Sequence, residues 1–181
     1  MKFSETIIPG AYTIELEKIE DSRGFFSRLF CEREFDELDL HKNFKQVNNS
    51  YSKYKGTLRG IHFQIKPKSE SKLVRCLKGS LFDVIIDLRK GSATYKKWFG
   101  DILSSENRKM MYVPEGFGHA FLTLEDDTEA IYFVSESFSP EHERGLHWDD
   151  KNIGIEWPIK PIIISEKDSK NPLFDSSIHT V

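Results

Sequence analysis

Residues that move protons or hold anions recur along this chain: Arg59, His62, Lys72, His119, Tyr132 and Asp168. Arg59 and His62 fall in the β-like run Leu58-Arg59-Gly60-Ile61-His62-Phe63-Gln64. The glycine there marks a bulge or a close backbone approach, and bulges often re-aim side chains near sites. His119 closes the turn-rich stretch Pro114-Glu115-Gly116-Phe117-Gly118-His119. Alternation along Ala130-Ile131-Tyr132-Phe133-Val134 puts Tyr132 on one face with Ala130 and Val134, without saying which face points inward. Taken singly, each has an ordinary reading: strand or core histidines, a core tyrosine, a helix-capping aspartate, solvated cations. Taken together, they are a set for removing a proton beside a carbonyl. A histidine paired with a carboxylate is a base, a tyrosine is an acid for the opposite face, and cations hold an enolate and phosphates.

Short strands must carry these groups. Leu73 to Leu77 ends at the turn signal Lys78-Gly79, and Ser80 to Leu88 alternates Asp83 and Asp87 against Val84, Ile86 and Leu88. Lys109 to Val113, Ala120 to Leu124 and Ala130 to Val134 continue the pattern. Gly91, Gly100, Pro114-Glu115-Gly116 and Asp126-Asp127 read as the turns between them. Many short strands with frequent turns predict an all-β sandwich or barrel. Helix signals are few. They are Glu32 to Leu40, a Ser139-Pro140-Glu141 start closed by Gly145, and the capping-box pattern Ser165-Glu166-Lys167-Asp168.

The 181 residues predict a single domain over 1–181, with no linker, repeat or low-complexity tract. Hydrophobic residues at 38% and 14 phenylalanines exclude a disordered chain. Lys and Arg number 26 against 29 Asp and Glu, a net charge of −3 that argues against a nucleic-acid partner. No apolar run approaches a membrane span, and Met1 to Tyr12 does not read as a secretory signal. Two cysteines, Cys31 and Cys76, make no disulfide framework, so a cytoplasmic protein with reduced thiols is expected.

The Pro114 to His119 stretch resembles the second motif of the cupin superfamily, which turns a histidine into a small barrel. The first cupin motif offers H-x-H, but here the comparable place reads His62-x-Gln64. Two histidines and a weak amide fall short of the three ligands usual in a catalytic metal site, so no metal and no cofactor are expected.

A resemblance covering most of the chain goes further. It rests on Asp21-Ser22-Arg23-Gly24-Phe25-Phe26, Gln46-Val47-Asn48-Asn49-Ser50, Leu58 to Gln64, Lys72-Leu73-Val74-Arg75 and Asp83 to Arg89. It continues through Ser104-Ser105-Glu106-Asn107, Pro114 to Phe117, Gly154-Ile155-Glu156-Trp157-Pro158 and Ser165 to Asp168. In this the chain is similar to the dTDP-4-dehydrorhamnose 3,5-epimerases, a metal-independent cupin branch. The resemblance implies an all-β jelly-roll barrel with a few short helices, and a homodimer sharing strands. It implies a nucleoside-diphosphate 4-keto-6-deoxy sugar as substrate, inverted at C3, C5 or both through an enolate. It implies His62 as the base held by Asp168, Tyr132 as the acid, Lys72 at the enolate oxygen and Arg59 at the diphosphate. Arg23, Phe26, Gln46 and Asn48 match positions that reach the nucleotide, partly across the dimer. His119 joins them as a substrate contact, and Phe138 as a ring near the base.

Two departures bear on the carrier. Arg28 stands where the family commonly has an acid, and Ser137-Phe138 where it often has two tyrosines. They point away from thymidine toward GDP or CDP, with a GDP-linked 4-keto-6-deoxy-heptose for capsular polysaccharide as the preferred variant. The alternatives are a sugar-nucleotide 3,4-keto-isomerase and a metal-dependent cupin oxygenase.

Overall fold

A computed structural model describes residues 1–181. The N-terminal part holds β1 (Lys2–Glu5), β2 (Tyr12–Glu15), the hairpin β3 (Lys18–Asp21) and β4 (Gly24–Ser27), and α1 (Glu32–Asp36). The body runs through β5 (Gln46–Ser52), β6 (Thr57–Gln64), β7 (Lys72–Lys78), β8 (Ser80–Asp87), β9 (Trp98–Ser104), β10 (Met110–Val113), β11 (Phe117–Thr123) and β12 (Thr128–Val134). The C-terminal part adds β13 (Glu143–Gly145), β14 (Ile163–Ile164), α2 (Glu166–Ser169) and α3 (Ser176–His179).

The strands form two sheets. The first has the order β1-β2-β10-β7-β12-β5, the second β13-β6-β11-β8-β9 with β14 beside β6. Between them lies an apolar interior that draws Val74, Cys76, Met111, Val113 and Ala130 from the first sheet and Leu81, Ile85, Leu103, Phe117 and Phe121 from the second. This is the expected jelly-roll barrel. Both outer faces are also covered, in part. Phe35 of α1, with Phe30 and Phe44, packs on Leu73, Met110 and Tyr112 outside the first sheet. The chain from Leu146 onward lays Ile153, Trp157 and Phe174 against Ile61, Phe63 and Ile86 outside the second. Double-sided burial is why Ser80 to Asp87 is apolar on one face and yet encloses Asp83 and Asp87 on the other.

Two expectations fail. Residues 140–142 form a turn rather than a helix, and Gly145 lies in β13 instead of ending a helical turn. Pro140 fixes a turn as readily as a first helical position, and β13 pairs with β6 immediately afterwards. Gly100 is no turn either, since it sits inside β9, where a Cβ would lie 2.3 Å from Cζ of Phe82. The glycine makes room for a ring, which hid a whole strand.

Candidate active site

The bulge expected at Gly60 is present. Along β6 and β11, Arg59 faces Phe121 and His62 faces His119, so three steps on one strand match two on the other. Gly60 has φ +119°, and a Cβ there would stand 2.5 Å from Cβ of Ala120 and 2.7 Å from the His119 carbonyl oxygen. Strict alternation sends residues an odd number apart to opposite faces. The extra residue instead brings both Arg59 and His62 to one cavity.

Asp168 reaches that cavity from the other end of the sequence. Ser165 caps α2, its Oγ accepting from the Asp168 N–H at 3.0 Å. In a full capping box the acid at this position would reach back to the cap N–H. Here its carboxylate turns to β6, accepting from the Gly60 N–H at 3.1 Å and from His62 Nε2 at 2.7 Å. An ionised carboxylate only accepts, so Nε2 carries the hydrogen and His62 Nδ1 holds the lone pair. Burial works to raise the Asp168 pKa, but the His62 hydrogen bond and charge and the Gly60 N–H outweigh it and hold the carboxyl below its ordinary value. The carboxylate is 5% exposed and the imidazole 33%, which leaves the ring open to a ligand.

The opposite wall belongs to the first sheet. Tyr132 of β12 points inward with Ala130, which settles the parity question. Burial first, and Glu70 too, push its phenol pKa up against a lowering pull from Arg59, so it keeps its proton at neutral pH. Lys72 opens β7 and pairs with Glu70. Arg59 is braced across the rim, donating from Nη2 to the Tyr51 carbonyl at 2.9 Å and from Nε to Ser52 Oγ at 3.2 Å. His119 and buried Asp83 form a second pair, Nε2 to Oδ1 at 2.8 Å.

These six residues line one cavity of about 430 Å³. Gln46, Asn48 and Phe138 line an adjoining one of about 220 Å³, which shares His62, Lys72 and Tyr132 with the first. Gln46 Oε1 accepts from the Phe138 N–H at 2.7 Å and fixes the loop that presents this ring. Arg23 and Phe26 are not brought there. They stand on the β3–β4 hairpin, with Arg23 engaged by Asp21 at 2.6 Å and Phe26 67% exposed. Gln64 faces other work. Its amide donates to the Lys68 carbonyl at 2.9 Å and accepts from the Ser139 N–H at 2.6 Å, so it does not complete a ligand triad with the histidines.

Some lining residues were not anticipated: Glu70, Glu143, Lys167 and Ser50. Lys167 Nζ meets Glu143 Oε2 at 2.5 Å. Lys167 is the immediate neighbour of Asp168 and Glu70 lies two residues before Lys72, so adjacency was their only signal. Glu143 was masked by the helix expected around it.

The sequence matches the dTDP-4-dehydrorhamnose 3,5-epimerase family over residues 5–176. The chain is 46% identical to the enzyme of that name from Sinorhizobium fredii, over 95% of this chain and 89% of that one. The crystal structure of the Elizabethkingia anophelis dTDP-4-dehydrorhamnose 3,5-epimerase superposes with a TM-score of 0.93 at 38% identity, covering 96% of both chains. The Bacillus anthracis enzyme, solved with TDP and PPi bound, gives 0.91 at 42% identity, covering 96% of this chain and 99% of that one. These relatives carry dTDP in their names or TDP in their site, so the expectation of a GDP-linked heptose finds no support. The departures behind it have a plainer account. Arg28 lies outside both cavities and pairs with Glu34 at 3.1 Å, and Phe138 still offers an aromatic ring at the cavity. The keto-isomerase and oxygenase alternatives are not favoured either. No helix is long and apolar enough to cross a membrane. The chain belongs to the dTDP-4-dehydrorhamnose 3,5-epimerase family and is an isomerase of the epimerase type.

Proposed function

We propose that this cavity inverts C3 and C5 of a dTDP-linked 4-keto-6-deoxy sugar through an enolate. One observation carries the reading: the His62–Asp168 pair enters from one sheet while Tyr132 and Lys72 enter the same space from the other. Hydrogens at C3 and C5 flank the C4 ketone, so loss of either proton gives an enolate. His62 Nδ1 takes the proton, and Asp168 holds the ring and steadies the imidazolium that results. The Lys72 ammonium lies where charge develops on the C4 oxygen, a form of stabilisation often worth about 3–4 kcal/mol per donor. Tyr132, kept protonated by burial, returns a proton from the opposite side and so inverts the carbon. Arg59 at the rim takes the diphosphate, His119 a sugar hydroxyl, and Phe138 stacks on the base with Gln46 and Asn48 beside it. The thymidine carrier follows the relatives' ligands.

Arg23 and Phe26 fit a homodimer in which each hairpin serves the partner's site. The hairpin pairs only within itself, and it exposes the cross-strand pair Ile19 and Phe26 together, an apolar patch that a second copy would cover.

Solvent deuterium uptake at C3 and C5 of a dTDP-4-keto-6-deoxy-hexose, read by mass spectrometry and NMR, tests the reaction. Uptake at both carbons is expected, with GDP and CDP analogues much poorer. No exchange with any of the three carriers overturns the reading. Tyr132→Phe is expected to slow inversion more than initial proton loss, and equal effects on the two contradict its role.

A further inference from the structure

Lys72 does not enter the cavity alone. Glu70 precedes β7 by two residues, on the same side of an extended chain, and its Oε1 accepts from Lys72 Nζ. Lys72 is 10% exposed and Glu70 11%. This is the one Lys or Arg to carboxylate pair of the chain in which both partners are so enclosed. The second oxygen of Glu70 receives only a long contact, 3.4 Å, from Gln64 Nε2, an amide already committed to the Lys68 carbonyl. Around the pair stand His62 and Gln64 on β6, Tyr132 on β12, Asn48 on β5 and Glu143 on β13.

Such a pair is poor value as a fold stabiliser. Desolvating two charges costs about what their attraction returns, and apolar replacements often do as well. Its position gives it another use. An ammonium has three N–H donors, so one bond to Glu70 fixes its direction and leaves two for a ligand.

We propose that Glu70 is a positioning residue of the epimerisation, acting through Lys72. It holds the ammonium in one direction, aimed at the place where the enolate oxygen forms. This rests on the reaction proposed above. The only short contact of Glu70 is to the lysine, and its effect is exerted through it.

The test uses Glu70→Gln, which keeps shape and removes charge, and Glu70→Ala, which opens a space for a small anion. Two readouts are taken on each full-length protein. The first needs no substrate: the rate at which acetic anhydride acylates Lys72 at pH 8, followed by peptide mass spectrometry. Both variants are expected to react about fivefold or more faster, since the amine is no longer held against a carboxylate. The second is deuterium exchange into the keto sugar. There kcat is expected to fall about 10- to 100-fold, the range seen when an orienting partner is removed, with KM within about threefold. Formate should restore part of the rate to Glu70→Ala. A folded variant with wild-type Lys72 reactivity and wild-type kcat overturns the assignment, as does a Glu70→Gln enzyme faster than wild type. Absence of exchange in the wild type would instead sink the reaction itself, and the acylation rates would still decide whether Glu70 governs Lys72.

Discussion

Two histidine–aspartate pairs stand side by side in this barrel, and their differences separate two kinds of work. His62 and His119 are register partners on adjacent strands, and each gives Nε2 to a carboxylate at 2.7 and 2.8 Å. Asp168 comes from a separate helix 106 residues away and has both oxygens engaged, by His62 and by the Gly60 N–H. Asp83 sits on the neighbouring β8, fully enclosed, and its Oδ2 has no partner. The first imidazole is a third exposed, the second almost closed off. A base needs a free ring nitrogen within reach of substrate and an orienter that is itself held. Only the His62 pair has both in full. The His119 pair is built into the wall, where it can present one nitrogen to a hydroxyl.

The strongest way to break this contrast is to delete each ring in turn. His62→Ala should lower exchange by about 10²- to 10⁴-fold at every carbon, the usual worth of a positioned base. His119→Ala should act on binding, raising KM by about 2- to 10-fold for one lost hydrogen bond. It should also cost stability, because it leaves Asp83 buried without any partner. Parallel measurement of kcat, KM and urea midpoint decides. Equal losses of kcat would mean that both pairs act on the carbon acid.

Gly60 belongs to both pairs, so altering it should blur them together. Its N–H serves Asp168, and its missing Cβ lets the His119–Ala120 backbone approach. Gly60→Ala meets a positive φ costing about 1–3 kcal/mol and a clash costing about 1–3 more. The expected result is a loss of about 2–6 kcal/mol in urea unfolding together with impaired exchange. A variant of wild-type stability would show that the bulge relaxes freely and is not what places Arg59 and His62 together.

How far this arrangement was readable depends on the residue. β7, β8, β10, β11 and β12 follow from β-rich runs between breakers, because strongly apolar strands leave a plain signal. β5 was invisible. Gln46–Ser52 is polar at every second position or more, as suits an edge strand with one face toward a wet cavity. Asp168 was legible as part of a capping pattern, but periodicity could not say that its carboxylate leaves the helix for β6. That link came from the family resemblance alone. Arg59 and His62 sharing a wall contradicts alternation, and only the glycine between them gave warning. The carrier expectation leaned on Arg28 as a base contact, and sequence alone gave no sign of its pairing with Glu34.

The smallest effect concerns acid, and it isolates the better-held carboxylate. Asp168 keeps its carboxyl below the ordinary value in the folded chain, since the His62 and Gly60 interactions outweigh the opposing effect of burial. A depressed folded value means that the folded state prefers the ionised form. The resulting stabilisation is fully present above the unfolded carboxyl pKa of about 3.9, and it is lost as pH falls through the lower folded value. Asp87, held at about 2 by Arg89, Ser92 and Thr94 against its own burial, erodes over the same acid range in wild type and variant alike. Taking the difference between wild type and Asp168→Asn removes that shared part, as the two sites have no common partner. The gap in unfolding free energy should therefore narrow below about pH 4. A gap that stays level from pH 5 to pH 3 would mean that Asp168 gains nothing from ionisation. The contrast with enclosed Asp83 would then rest on exposure of the rings alone.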